Sequence, residues 1–175
     1  MNIKTTATLI REDWEPRGIG YCAHIALHGF LLLRDQGVKI ECGYAGWRVN
    51  GRHNAGVVIH HPKANGVTVS QGEDNYLYHT WLRTKNNEIL DFSTYELPAK
   101  VAALNEADGE DVECQWAPLF LLTDELDTYE EVCLGYKTGA RFYETNETVR
   151  ASVLRYLCQQ YPSIAPTLAR AHGPF

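Results

Sequence analysis

The apolar residues change their spacing near Gly37, and this change constrains the fold more than any other feature. Between residues 21 and 36 they recur at helical intervals with no proline, at Ile25, Leu27, Phe30, Leu31 and Leu33. Gly37 stands where a helix usually ends, and residues 38–42 then alternate as a half-buried strand does. Gly29 costs the helix about 1 kcal/mol relative to alanine, which predicts close packing against another element. The sequence therefore predicts a buried helix followed directly by a strand.

The remaining elements are predicted from the same periods. Strands are expected at residues 45–49, 55–60, 67–69, 76–84 and 88–92, with a turn at Asn50-Gly51. The segment 14–20 is typical of an irregular loop, a short helix is expected beyond Pro98, and residues 146–161 form an amphipathic helix. A helix, antiparallel strands and then helices predict an α+β fold, in a single domain over residues 1–175.

Composition excludes several classes of protein. With 45% hydrophobic residues the chain can bury a core without disulfides, and a net charge of −6 argues against a nucleic-acid or membrane partner. No apolar run is long enough for a signal peptide or a membrane span, so we expect a cytoplasmic protein with reduced cysteines. The five cysteines form no Cys-x-x-Cys pair, and His60-His61 is the one close pair of possible ligands. We therefore expect neither a metal nor a cofactor.

Cys22 is the first candidate for chemistry. It lies two residues after Gly20, in or beside the first turn of the predicted helix. Unpaired amide groups and the positive end of the helix dipole favour a thiolate there, and the same amides can stabilise an oxyanion. The alternative is that Cys22 is a small buried apolar residue, as most free cysteines are. Cys42, within a strand, and Cys158, within a helix, are better interpreted as core residues.

His79 and Asp91 form a second candidate pair. Alternation places His79 and Trp81 on one face of their strand, and Asp91 interrupts an otherwise apolar strand, where a carboxylate needs a partner. The structural alternatives are a satisfied core histidine and a salt-bridged or capping carboxylate. The two residues are 12 positions apart, so they share a face of a hairpin only if its loop has an odd number of residues. A three-residue loop at 85–87, with Asn87 left-handed, meets this condition.

That register has a defined consequence for the two side chains. Trp81 would lie directly opposite Asp91, and His79 would lie on the diagonal within side-chain reach of the carboxylate. A two-residue loop would place His79 and Asp91 on opposite faces instead.

Three segments taken together resemble the transglutaminase-like superfamily. Its members carry a Gly-x-Cys at a helix start and a Gly-Tyr after the following strand, then a His-x-Trp strand and an Asp-x-(Ser/Thr) strand. The matching segments, within residues 18–95, are Gly20-Tyr21-Cys22, Gly43-Tyr44, His79-Thr80-Trp81 and Asp91-Phe92-Ser93-Thr94. The resemblance implies a papain-like core in which the helix bearing the cysteine packs on an antiparallel sheet.

The resemblance also implies roles for individual residues. Cys22 corresponds to the nucleophile, His79 to the general base and Asp91 to the group that orients the histidine. The extra oxyanion donor of the family has no clear match, so Trp14 and Tyr21 are candidates for it, and Trp81 is a candidate for lining the cleft. Residues 96–175 would extend the same domain.

The function implied in this way is acyl transfer through a thioester. We expect hydrolysis of a peptide or amide substrate, as by a peptidase or amidase. The alternatives are transfer of the acyl group to an amine, and a binding module that keeps the fold without turnover.

Overall fold

The structure, a computed structural model, describes residues 1–52, 55–61 and 78–175. The helices are α1 (Ile3–Trp14), α2 (Cys22–Leu33), α3 (Leu97–Asp108), α4 (Tyr129–Leu134), α5 (Glu147–Gln160) and α6 (Ala165–His172). The strands are β1 (Lys39–Arg48), β2 (Val57–His60), β3 (His79–Arg83), β4 (Ile89–Asp91), β5 (Leu121–Thr123) and β6 (Arg141–Thr145). The predicted strand at 67–69 and the start of the one predicted at 76–84 lie outside the described residues.

The described strands form one antiparallel sheet. Their order is β2-β1-β3-β4-β5, and β6 pairs with β1. The predicted α+β class is therefore confirmed. In the part of the chain that the structure describes, no helix is both long and apolar enough to cross a membrane.

Helix α2 confirms the prediction from apolar spacing. It begins at Cys22, and after a 3₁₀ turn at Arg34–Gln36 the chain leaves through Gly37 in the left-handed conformation, at φ 74°. A Cβ atom on Gly29 would lie 2.7 Å from the ring of Phe92. The glycine therefore lets α2 approach the end of β4, as its cost within the helix predicted.

Strand β1 corrects the prediction of two separate strands at 38–42 and 45–49. It runs unbroken through Gly43, which pairs with His79 of β3 and with Thr145 of β6. A Cβ atom at Gly43 would lie 1.9 Å from the carbonyl oxygen of Glu144. Gly43 thus permits the close approach of β6 and does not mark the end of a strand.

The hairpin of β3 and β4 has the predicted register. Leu82 pairs with Leu90, so the same index sum places Trp81 opposite Asp91. The backbones of Thr84 and Glu88 are hydrogen-bonded around a three-residue loop, in which Asn87 has φ 66°. His79 and Asp91 therefore share one face of the sheet.

The two faces of the sheet bury different cores. One face, including Ile40 and Leu82, packs with residues of α1, α2, α5 and α6. The other face packs against α3, through a cluster that contains Trp47, Trp81, Tyr143, Leu97 and Val101. The hairpin presents His79 and Asp91 to this second face.

Candidate active site

His79 and Asp91 form a buried pair where β3 begins and β4 ends. His79 Nε2 lies 2.7 Å from Asp91 Oδ2, and the side chains are 0% and 1% exposed. The prediction that these residues share a face and lie within reach is confirmed.

The carboxylate of Asp91 is fixed by four donors in total. Besides His79, the hydroxyl of Tyr143 donates to Oδ2, and the backbone amide and hydroxyl of Ser93 both donate to Oδ1, each at 2.8 Å. The Tyr143 hydroxyl in turn accepts from Trp47 Nε1 at 2.8 Å. Burial by itself raises the pKa of Asp91, but the charge of His79 and these hydrogen bonds hold it well below its usual range. Asp91 is therefore ionised at neutral pH.

The imidazole of His79 is enclosed by aromatic rings. Trp47 meets it edge-on at 4.8 Å between ring centroids, while His60 and Trp81 stack on it at 5.7 and 6.1 Å. Burial alone lowers the pKa of His79, but the charge and hydrogen bond of Asp91, with a smaller effect of Cys22, raise it to about 9. The ring therefore favours the protonated state at neutral pH.

Cys22 is the first residue of α2 and is half-buried. Burial raises the pKa of its thiol, but the interaction with His79 and the positive charge of the ring outweigh burial and lower the pKa overall. Cys22 and His79 shift each other's pKa, although His79 Nδ1 has no hydrogen-bond partner among the described residues. The structure thus joins His79 directly to Asp91, and the catalytic role of Cys22 stays a prediction.

The other four cysteines differ from Cys22 in the direction of their pKa. Cys42 is buried against the Thr80 hydroxyl, with 3.0 Å between sulfur and oxygen, and burial raises its pKa. Burial likewise raises the pKa values of Cys114, Cys133 and Cys158. All five thiols are free, and Cys22 alone has a lowered pKa.

The backbone at the start of α2 presents unpaired donors beside Cys22. Tyr21, at the N-cap, provides no side-chain cap, and the first intrahelical bond runs from the Ile25 amide to the Tyr21 carbonyl. The amides of Cys22 and Ala23 precede that bond, so they have no acceptor within the helix.

The further candidates from the sequence have different outcomes. Trp14 ends α1, and its indole N–H donates to His28 Nδ1 at 3.2 Å, so its one donor is engaged here and its oxyanion role stays a prediction. Trp81 is 1% exposed beneath His79 and supports that ring from within the core, so it does not line an accessible cleft. Tyr21 is half-buried next to Cys22 and stays a candidate.

Sequence reasoning missed several residues that surround the pair. Tyr143 and Trp47 complete the hydrogen-bond chain behind Asp91, and a buried Glu96–Lys100 ion pair lies on the same side of the sheet. His60, which the sequence offered as half of a possible ligand pair or as a residue lining a cleft, stacks on His79. Burial, followed by the charges of Lys100 and His79, lowers the pKa of His60 well below its ordinary value, so its ring is neutral.

Among the described residues, these side chains form no metal centre, and one described pocket lies away from them. In the described residues, no group of three or more His, Cys, Asp or Glu side chains could hold a metal ion. A pocket of about 230 Å³ opens between β2 and α3, and Val58, Val101 and Asn105 are among its lining residues. None of Cys22, His79 and Asp91 lines that pocket.

Comparison with known proteins adds information about the fold alone. Neither a protein-family model nor a curated protein matches the sequence. One solved structure, described as "The crystal structure of genomics APC5867", is similar with a TM-score of 0.53 and 16% sequence identity. The match covers 96% of this chain and 75% of that chain.

Proposed function

We propose that this protein is a cysteine hydrolase that cleaves peptide or amide bonds through a thioester acyl-enzyme. Cys22 is the nucleophile, His79 the general base and Asp91 the residue that orients the base. One observation carries the proposal: His79 commits Nε2 to Asp91 at 2.7 Å, which leaves Nδ1 of the same ring without a partner among the described residues and so available to a nucleophile.

The position of the carboxylate determines which ring nitrogen takes part in proton transfer. An ionised Asp91 keeps a proton on Nε2 of His79, so Nδ1 is the nitrogen that accepts or donates the mobile proton. The pKa of Cys22 is lowered and that of His79 is raised to about 9, and both shifts favour the thiolate–imidazolium pair over the neutral pair. We infer that this ion pair is the reactive form of the site.

The reaction follows from this ion pair. The Cys22 thiolate attacks the carbonyl carbon of the amide, and the carbonyl π electrons move to oxygen. The imidazolium of His79 then protonates the leaving amine as the C–N bond breaks, which leaves a thioester. Neutral His79 next takes a proton from water, the hydroxide attacks the thioester, and the carboxylic acid leaves as the thiolate re-forms.

The oxyanion of each tetrahedral intermediate needs donors close to the attacking sulfur. The unpaired amides of Cys22 and Ala23 at the start of α2 are suited to this role, since they are fixed by the helix and point along its axis. The hydroxyl of Tyr21, which precedes the nucleophile, is a candidate for a second donor.

We further propose that the chain is related to transglutaminase-like enzymes and has a papain-like core. What supports this is the chain order Cys22, His79, Asp91, together with a cysteine at the start of a helix that packs against β3. We propose a cytoplasmic setting because all five thiols are free, and neither a nucleic-acid nor a membrane partner because the net charge is −6.

Transfer of the acyl group to an amine is the second candidate. The aromatic enclosure of His79 supports it, because surroundings that exclude water slow hydrolysis of the thioester. Addition of primary amines to a turnover assay separates the two reactions, since a transferase forms new amide products and a hydrolase does not.

Limited labelling with iodoacetamide at pH 6, followed by peptide mapping, tests the proposal. We expect Cys22 to be modified first among the five thiols, because its pKa alone is lowered. His79→Ala removes the positive partner, so the Cys22 pKa should rise and its alkylation should slow. His28→Ala, in the same helix as Cys22, is the matched control and should leave the rate of Cys22 alkylation unchanged.

Two outcomes would contradict the proposal. Equal modification of several cysteines would show that Cys22 is not activated. A Cys22 rate that is the same with and without His79 would show that the ion pair does not exist, and would favour a binding module without turnover.

A further inference from the structure

A buried ion pair lies close to the proposed nucleophile and has no role in the steps above. Glu96 stands immediately before α3 and Lys100 is one turn further on, with Lys100 Nζ 3.3 Å from Glu96 Oε2. The side chains are 1% and 3% exposed, respectively. Burial of two charges costs several kcal/mol per ion before their attraction is counted, so a pair kept in this position calls for an explanation.

The ion pair between Glu96 and Lys100 lacks a strong hydrogen bond. The 3.3 Å between Lys100 Nζ and Glu96 Oε2 is longer than a strong charge-assisted hydrogen bond, which measures about 2.7–2.9 Å. Neither carboxyl oxygen of Glu96 has a hydrogen-bond partner among the described residues. Burial raises the pKa of Glu96 in spite of the opposing charge of Lys100. The positive charge of Lys100 is therefore only partly neutralised by its neighbour.

Lys100 and His79 contact the same indole ring. Its Nζ lies 5.5 Å from the ring centroid of Trp47, and Trp47 meets the imidazole of His79 at 4.8 Å. His60 packs against the same indole at 5.8 Å, with its Nε2 buried and without a partner in the described part of the chain. The ammonium group of Lys100 and the neutral imidazole of His60 thus both contact the Trp47 indole.

The field of Lys100 extends to the nucleophile. Burial raises the pKa of Cys22, the charges of His79 and Lys100 lower it, and the charge of Glu96 raises it by less than Lys100 lowers it. Any group that reacts with Cys22 therefore experiences the positive charge of Lys100, which Glu96 offsets only in part.

We propose that the substrates of this protein carry a carboxylate close to the scissile amide, and that Lys100 binds it. The inference rests on the proposed function, because it requires Cys22 to be the nucleophile. A carboxylate would supply the negative charge that Glu96 provides incompletely, and His60 can donate a hydrogen bond to it without adding charge. A cationic substrate would be repelled by Lys100 and His79, and a neutral one would leave the ammonium group only partly neutralised by Glu96.

Two alkylating probes of nearly equal size test this specificity. Iodoacetate carries a carboxylate where iodoacetamide carries a neutral amide, so the ratio of their rates at Cys22 measures the preference for an anion. Rates are compared at a pH where Cys22 is fully ionised, which removes any change in its pKa from the ratio. Lys100→Met should lower the iodoacetate-to-iodoacetamide ratio by roughly three- to tenfold, as loss of one nearby charge at an intermediate dielectric implies.

Companion variants separate recognition from packing. Lys100→Arg keeps the charge and should retain most of the preference. Glu96→Gln removes the competing carboxylate and should raise the ratio, a change opposite in sign to that of Lys100→Met. Lys137→Met, at an exposed lysine that pairs with Asp127, is the matched control and should change nothing.

The outcomes distinguish failure of this inference from failure of the proposed function. If both reagents still select Cys22 but the ratio is the same in Lys100→Met and Glu96→Gln, the pair is structural and the inference is overturned. If neither reagent selects Cys22, the proposed function fails and the inference fails with it. Should Lys100→Met not fold, Glu96→Gln decides alone, since a raised ratio supports carboxylate binding and an unchanged ratio overturns it.

Discussion

Replacement of Asp91 by asparagine is the sharpest test of the catalytic geometry, because it removes a charge at nearly constant shape. The two oxygens of Asp91 have different partners: Oδ1 accepts from Ser93, while Oδ2 faces His79 and Tyr143. An asparagine can keep its carbonyl oxygen towards the two Ser93 donors. Its amide N–H₂ then points at His79 Nε2, where an acceptor stood before.

The amide group of the asparagine changes which ring nitrogen of His79 carries the proton. A donor facing Nε2 requires that nitrogen to accept, so the proton moves to Nδ1 and the ring can no longer take a proton from Cys22. Without the carboxylate, burial dominates and the pKa of His79 should fall from about 9 to below its ordinary value of 6.5. We expect turnover to fall by about 10⁴-fold, which is the loss that a wrong tautomer causes in the serine triad. Mismatched hydrogen bonds should lower the free energy of unfolding by about 1–3 kcal/mol.

Three measurements on Asp91→Asn check this reasoning. They are the turnover of an amide substrate, the imidazole pKa of His79 by NMR, and the rate of Cys22 alkylation by iodoacetamide at pH 6. Tyr143→Phe is the control, since it removes one donor from the carboxylate but keeps its charge, and it should reduce turnover by less than about tenfold because one neutral hydrogen bond is lost. A folded Asp91→Asn with unchanged turnover and an unchanged His79 pKa would refute the assigned role.

Two further predictions concern stability. The raised pKa of His79 means that the stabilisation from its interaction with Asp91 is fully present below pH 6.5 and is lost as the pH rises through about 9. At acid pH, the depressed pKa of Asp91 keeps that stabilisation present above pH 3.8, and it is lost as the pH falls through the depressed value. A double-mutant cycle of His79 and Asp91 by urea unfolding measures the interaction free energy at each pH. A free energy that does not change with pH would contradict both limits. Gly29→Ala should cost about 1–3 kcal/mol by urea unfolding, because its Cβ meets the Phe92 ring, and Phe92→Leu should recover part of that loss. Gly43→Ala should cost more and should not be recovered by any side-chain change, since its Cβ meets the backbone of Glu144; equal costs at the two glycines would contradict this reading.

The parts of the fold that local rules govern were predictable. The spacing of apolar residues gave α2, and the parity of His79 and Asp91 gave the face that they share, because both depend on a few neighbouring residues. Asn87 at φ 66° is the local feature that fixes the hairpin register. These predictions needed no knowledge of distant contacts.

Helix α1 was missed although its signals are local. Asn2 caps it by accepting from the Thr5 amide at 2.8 Å, and Ile3, Ala7 and Ile10 recur at helical spacing. The buried stripe is narrow and includes Thr6, a weak helix former, so the pattern is less pronounced than that of α2. A search for the asparagine cap would have found the start of this helix.

Strand β6 could not be found in this way, because its signal is not local. Its residues 141–145 contain only Phe142 and Tyr143 as apolar members, and these two face different clusters. The strand exists because it pairs with β1 across Gly43, about a hundred positions earlier in the chain. Without that pairing, no local pattern indicates that Tyr143 reaches Asp91.

The same distinction separates the proposed chemistry from the proposed specificity. Cys22, His79 and Asp91 lie within residues 18–95. In that segment, the start of a helix and the length of a hairpin loop can be predicted from sequence, and they determine where these side chains lie. Lys100 belongs to a helix whose pattern suggests an ordinary exposed lysine, and it is buried only because α3 covers the face of the sheet that bears Trp47. Its burial gives its charge a long reach, since a low dielectric screens it less than water would. The resemblance covers only residues 18–95, so it bears on the proposed chemistry, while the proposed specificity depends on a lysine whose burial only the packed fold produces.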